Sequence, residues 1–555
     1  VALYEGLYGE RPFRGDTIAR VRKAVINGEI VDAPKESEVP IWLRNILLRG
    51  LSVHPGARYP SMDALLAELS DNPGRPQQSW LRATMVLGVG LMIAAFSFFQ
   101  LRAHDDGHLL DVSSCLAASV PLAEAYGPER EHELEEHFAN SGIADANQTW
   151  RRVDDLLDEM TAELSRTFSS VCLLDQLRGD NRNEFVVRQR ACLERRIGPL
   201  KALTEGLLDL PAAAQGHAVS AAYELLSLTP CSDPSSLHVR VETSNDPELA
   251  DLSSRLRADL DRARATSWLG RPEEALTITR QVSTEASHID NLAVRAEAYL
   301  LQGEFEKQRG DYEGAERSLK EALWHAEASR HDEVAIDSLT LLVRVLGVDL
   351  QRHNDADTLT PRLTAAVRRL GDKRRDVRAQ QNLGLAETAH GHIDAAIVRL
   401  EAAAKTAESI SGSYGRLLGA SIHIELGRAL VLAKRLDEAL SHHKRAVDTL
   451  ESALGTNNPA VARGNLALCE TWAAKGDLTR AIRTCRRALE LRHAASVPGY
   501  QRAEVRFALA RIIYQARRTD EAIAAARRAL DEIAGNPAGT PLREKINSWL
   551  QRHVR

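Results

Sequence analysis

Apolar positions recur at three- and four-residue intervals along nearly the whole chain, which predicts helices and no strands. Trp150, Val153, Leu156, Leu157 and Met160 form one such stripe, and Leu193, Ile197, Leu200 and Leu203 another. Near the N-terminus the spacing of Leu3, Leu7 and Tyr8 marks a helix that Gly9 stops and Pro12 keeps from resuming. A second helix runs from an Asp16 N-cap to Asn27 and Gly28. Trp42, Ile46, Leu47 and Leu51 mark a third; after Pro55, Met62, Leu65, Leu66 and Leu69 mark a fourth, capped by Ser61.

From about residue 250 the pattern repeats. Its register is a small or polar turn residue, an alanine five positions on, and a small residue seven further. Gly270, Ala275 and Val282 begin it, and Gly310, Ala315 and Ala322 follow. Asn354, Leu359 and Ala366 form a degenerate third copy. The remaining copies carry alanine at 396, 439, 481 and 522, spaced 43, 42 and 41 residues apart. Short side chains at fixed intervals are what two closely packed antiparallel helices require, and each hairpin must bury its remaining apolar face on the next.

One stretch breaks the amphipathic pattern. Residues 83–101 carry no charge, and 19 helical residues reach about 28 Å, close to the hydrocarbon thickness of a bilayer. Trp80 suits the interface, and Arg82 and Arg102 flank the run. It is expected to be a transmembrane helix after a linker at 73–82. Arg75 and Arg82 precede it and Asp105, Asp106 and Asp111 follow. The charge bias therefore places the N-terminal stub in the cytoplasm and residues 103–555 outside the inner (cell) membrane.

Composition adds constraints. The 555 residues carry a net charge of −6 with 5% aromatics, which offers neither a basic stripe nor stacking platforms for nucleic acid. All six cysteines follow the apolar run. Cys172 and Cys192 flank a turn at 179–181 and are candidates for a hairpin disulfide, with Cys115 and Cys231 as a second pair. Cys469 and Cys485 fall in one hairpin and are expected either to bond or to remain core thiols. No short Cys-x-x-Cys pair supports a metal site. His104 and His108 read as a solvated linker, and the adjacent His442 and His443 diverge on a helix.

Two resemblances extend this reading. Gly310, Asp311 and Tyr312 at a turn, and Leu426 with Gly427 in a first helix, make residues 250–535 resemble about seven tetratricopeptide repeats, with 536–555 a capping helix. Gly455, Thr456, Asn457, Asn458 and Pro459 between hairpins look like the extended variety found in kinesin light chains. That family implies a concave peptide groove, where Glu304, Lys307, Arg428, Glu470 and Arg511 would face inward. Residues 4–13 and 42–69, with Pro55, Arg58, Tyr59 and Pro60, resemble the end of a bacterial serine/threonine kinase C-lobe, assigned to 1–72. Trp42 and Arg58 would be structural there, and the glutamate expected to pair with Arg58 is absent. Residues 103–249 resemble the cysteine-bearing segment of myxobacterial-type receptor kinases.

The expected fold class is thus all-α: partial kinase C-lobe helices, one transmembrane helix, then an α-solenoid. The chain lacks a glycine-rich phosphate loop, a His-Arg-Asp loop and an Asp-Phe-Gly motif, so no catalytic, cofactor-binding or metal residue is assigned. ATP and magnesium would serve only a full-length parent, and Val1 in place of methionine suggests truncation. The resemblance implies the sensor arm of a membrane-anchored kinase; a membrane-anchored, non-enzymatic adaptor and a soluble helical regulator are the alternatives. Expected partners are a protein or peptide in the groove and the bilayer through one helix, with no nucleic acid; a homodimer is compatible.

Overall fold

The computed structural model describes residues 2–13, 18–27, 30–31, 39, 41–53, 58–59, 61, 64–66, 69, 120–143, 145–178, 184–226, 231, 246–494, 497, 499–534 and 539–554. The linker at 73–82, the apolar run at 83–101, His104, His108, Cys115 and the turn at 179–181 lie outside them. The chain divides into two units, 1–107 and 108–555. No strand occurs among the described residues.

In the first unit, α1 (Ala2–Tyr8), α2 (Ile18–Asn27) and α3 (Ile41–Gly50) contribute Tyr4, Ala24, Ile46 and Leu47 to a small core with Phe13. The buried Tyr4 hydroxyl donates to the Val31 carbonyl at 2.7 Å, and the Val31 N–H bonds Pro12 O at 2.9 Å. Those two bonds tie the segment after α2 back to the end of α1. Gly9 adopts φ 70°, the left-handed stop its position predicts. Trp42 lies in α3, and Arg58 Nε donates to the Ser52 carbonyl at 2.7 Å, a backbone partner in place of a carboxylate.

The second unit opens with a bundle of α4 (Val120–Ala125), α5 (Pro128–Ala139), α6 (Ala146–Arg178), α7 (Glu184–Leu208) and α8 (Ala218–Leu225). The predicted stripes form its core: Trp150, Val153, Leu157 and Met160 meet Leu193, Leu200 and Leu203. Cys192 is bonded to Cys231, not to Cys172, with 5.7 Å between Cα atoms; Cys172 is bonded elsewhere. Closing a loop of that length contributes about 4 kcal/mol in the chain-entropy model.

Helical hairpins follow in order: α9 (Pro247–Trp268) with α10 (Pro272–Ala286), α11 (Leu292–Arg309) with α12 (Tyr312–Ser329), α13 (Asp332–Arg344) with α14 (His353–Leu370), and α15 (Lys373–His390) with α16 (Ile393–Glu408). Then come α17 (Gly412–Leu432) with α18 (Leu436–Leu454), α19 (Val461–Ala474) with α20 (Leu478–Ala494), and α21 (Gly499–Gln515) with α22 (Thr519–Glu532), before a final helix α23 (Thr540–His553). The turn residues Gly270, Gly310, Gly391, Lys434, Gly476 and Arg517 all have positive φ, and the alanines five positions on are fully buried. A left-handed residue reverses the chain, and the alanine lets the returning helix approach. Cys469 and Cys485 bridge the two helices of one hairpin, with Cα atoms 5.4 Å apart.

The third hairpin departs from the predicted register. Asn354 lies inside α14, and the left-handed residue is Gln351. A π-helical segment, Val345–Asp349, ends the first helix, so Ala356 and Leu363 take the buried places expected of Leu359 and Ala366. Gly347 permits this: a Cβ there would stand 2.8 Å from the Ala386 Cβ and 3.1 Å from that of Ala356.

Among the described residues no helix is long and apolar enough to cross a membrane. The 33-residue α6 has the length, but Asp154, Asp155, Asp158, Glu159 and Glu163 make it amphipathic, with one face on the bundle core. The expected fold class is corrected to an all-α solenoid with no membrane-spanning helix among the described residues, and the single-pass inner-membrane placement is dropped with it.

Candidate functional site

Successive first helices of the hairpins, α9, α11, α13, α15, α17, α19 and α21, pack directly on one another and form the inner wall of a curled array. The curl brings distant hairpins together: the Tyr500 hydroxyl at the start of α21 donates to the Gln308 carbonyl at the end of α11, 3.4 Å away. Arg309, Gly310, Asp311 and Tyr312 also share a cleft of about 580 Å³ with Thr540, Pro541 and Glu544 of α23.

The bundle closes one edge of this array. Glu159 accepts the Ser413 N–H at 3.2 Å, Ser220 donates to Asn458 at 3.1 Å, and Asn457 donates to Asp145 at 3.0 Å. The Tyr223 and Tyr414 rings stack 6.0 Å apart, with the Arg374 guanidinium 4.8 Å from the Tyr414 centroid. Under α7 lies a cavity of about 400 Å³, lined by Arg195 and Arg196 of α7 and by Asp261, Glu297, Glu304, Glu333, Asp337, Arg375 and Arg378 of the first helices.

Charge pairs across this wall follow the repeat period. Arg257 bonds Glu297 at 3.3 Å, 40 residues on; Glu333 pairs with Arg375 at 3.0 Å, 42 residues on; Glu470 pairs with Arg511 at 3.0 Å, 41 residues on. Glu425 pairs in the same way with Arg463, 38 residues on, and with Arg428 at 3.5 Å. Burial raises the Glu425 carboxyl, but Arg463 and Arg428 outweigh it and hold it down to about 2. Glu297 is likewise buried, yet Arg195 at 2.8 Å and Arg257 keep it well below the usual carboxylate range. For Arg375 burial opposes the charge, and Asp337, Glu333 and Asp372 prevail.

The groove residues expected from sequence all lie on first helices, in two groups. Glu470 interacts with both Arg428 and Arg511, and Glu504 acts on Arg428 and Glu470; burial raises the Glu470 carboxyl despite both arginines. Glu304 and Lys307 sit on α11, one turn apart. Burial lowers the Lys307 ammonium, Arg344 and Arg463 add to the effect, and Asp349 and Glu304 oppose it. Neither residue makes an ion pair among the described residues. Arg195, Glu297, Glu333 and Arg375 escaped the sequence reading. For Glu297, Glu333 and Arg375 the available signal was an acid and an arginine at matching first-helix positions about 40 residues apart; Arg195 lies on α7, outside the repeats, 102 residues from Glu297.

A family model described as tetratricopeptide repeat matches residues 382–449 and 490–537, so these segments are tetratricopeptide repeats. Residues 1–72 fall outside the match. No curated protein matches the chain. Among solved structures, a Rap protein complexed with competence and sporulation factor is similar at 13% identity and a TM-score of 0.42, over 67% of this chain and 99% of that one. A signal transduction ATPase with a tetratricopeptide repeat sensor, from Pyrococcus horikoshii, is similar at 13% identity and a TM-score of 0.39, over 77% of this chain and 64% of that one. BtubC from P. vanneervenii gives 16% identity and a TM-score of 0.27, over 52% and 92%.

Proposed function

We propose that the array is a protein-binding sensor that takes an extended peptide segment along its inner wall. The observation that carries this is the contrast within that wall. Glu297, Glu333, Glu425 and Glu470 are each matched by an arginine, whereas Glu304 and Lys307 hold opposite charges one turn apart without an ion pair. A segment presenting a cation and an anion would complete both, and burial makes such pairing more selective than on an open surface.

Panning a random-peptide display library on the full chain tests this. Enriched peptides are expected to bind the Glu304→Gln, Lys307→Met variant at least about tenfold more weakly, a loss of roughly 1.4 kcal/mol. Peptides that bind the variant equally, or no enrichment, would sink the reading.

The finer reading is that the array is the sensor arm of a serine/threonine kinase whose ATP and magnesium chemistry belongs to a longer parent. It rests on the sequence order of residues 4–13 and 42–69. A reading frame that continues upstream into His-Arg-Asp and Asp-Phe-Gly motifs supports it; a frame without them leaves a non-enzymatic adaptor.

A further inference from the structure

The chain is acidic overall, but one segment is not. Residues 475–532 hold 13 Lys and Arg against seven Asp and Glu, whereas the remainder holds 58 against 70. Most of this excess lies on α20, the second helix of the sixth hairpin, where five arginines stand against one acid; Arg518 in the turn before α22 and Arg527 and Arg528 on α22 add to the same side. Arg483, Arg486, Arg518, Arg527 and Arg528 are all exposed.

Local pairing leaves the surface positive. Arg486 and Arg518 share a single carboxylate, Glu521, and Arg487 is engaged by Glu490 at 3.6 Å and by Asn457 at 2.9 Å. Arg483, Arg527 and Arg528 make no ion pair among the described residues. Arg483, Arg486, Arg487 and Arg518 line a shallow groove of about 810 Å³ along α20.

We propose that this outer face docks an acidic segment of a protein partner, whose carboxylates are taken by the arginine forks. Guanidinium groups bind carboxylates in a planar, two-bond geometry, and an arginine already sharing one acid has donors left for another. The extent of the patch favours a short occupant. It is confined to two hairpins, so a nucleic-acid duplex or a bilayer would extend over the acidic remainder and be repelled there. The face lies on second helices, away from Glu304 and Lys307, and its proposal does not depend on the inner groove.

Fluorescence anisotropy with a labelled decaglutamate peptide and the full chain tests this. Binding is expected at 50 mM salt, about tenfold weaker at 200 mM. The Arg483→Glu, Arg486→Glu, Arg518→Glu variant should lose at least about tenfold in affinity. Circular dichroism and an unchanged melting curve establish that this variant is folded. Arg317→Glu with Arg368→Glu, on other second helices, should leave binding unchanged. The proposal is overturned if the wild type ignores the peptide, if the triple variant binds it equally, or if the control variant loses as much. It is also overturned if a 20-base-pair duplex or a phosphatidylserine vesicle binds the same arginines more tightly. Self-association abolished by the triple reversal would overturn it too, assigning the face to a second copy.

Discussion

Arg195 and Glu297 meet at 2.8 Å although 102 residues separate them, joining the bundle to the second hairpin through a carboxylate that Arg257 and His331 also contact. The acid is the hub of that junction. Glu297→Gln removes the charge while keeping the shape, leaving two arginines without their shared anion. Breaking a buried pair from one side costs about 3–5 kcal/mol. The expected result is a clear fall in the urea midpoint. Arg195→Met with Glu297→Met should recover part of the loss, since the cost lies in an uncompensated charge.

Acid should destabilise the second unit in two stages. Burial holds the His443 imidazole down to about 4, against about 6.5 in an unfolded chain, so the folded state binds fewer protons in between. This stability is complete above pH 6.5 and is lost as pH falls toward 4. Glu425, held down to about 2, contributes stability that is complete above about pH 4.5 and is lost as pH falls toward 2. Urea unfolding across pH should show both limbs. Burial holds His423 down to about 4 as well, so His443→Gln is expected to shrink the upper limb and His443→Gln with His423→Gln to shrink it further, while Glu425→Gln should shrink the lower; limbs unaffected by any of these would contradict the assignment.

The Cys469–Cys485 bridge closes a 16-residue separation between two helices that already pack together. The chain-entropy model gives it about 3 kcal/mol. Replacing both cysteines by serine should lower the melting temperature without changing helix content. Peptide mapping without reductant should recover this linkage and Cys192–Cys231, and no Cys172–Cys192 peptide.

Lys434 and Arg517 occupy turns at φ 63° and 60°, where the other hairpins mostly have glycine. A side chain in that region costs about 1 kcal/mol, partly offset by the entropy that glycine adds to the unfolded chain. Lys434→Gly is therefore expected to stabilise by roughly 0.5 kcal/mol, read as a higher urea midpoint at constant slope.

Much of the array was legible because each hairpin states its geometry locally. A left-handed turn residue and a buried alanine five positions later are set by neighbours in sequence. The third hairpin was misread by three positions because the π-helical segment at Val345–Asp349 depends on packing against Ala386, which no local pattern records. The cysteine pairing was illegible for a similar reason: Cys231 reaches Cys192 through the fold of the whole bundle. The five groove candidates lie on first helices, but the ladder of acids and arginines around them appears only when charges are compared one repeat apart.

The contact between Tyr500 and Gln308 changes what kind of object the array is. An open solenoid behaves as a spring, whose pitch can relax anywhere along its length. Pinning the second hairpin to the seventh converts it to a hoop, so that strain at any hairpin must be shared by the others. Anything entering the lumen must pass through the open edge or break that clasp first.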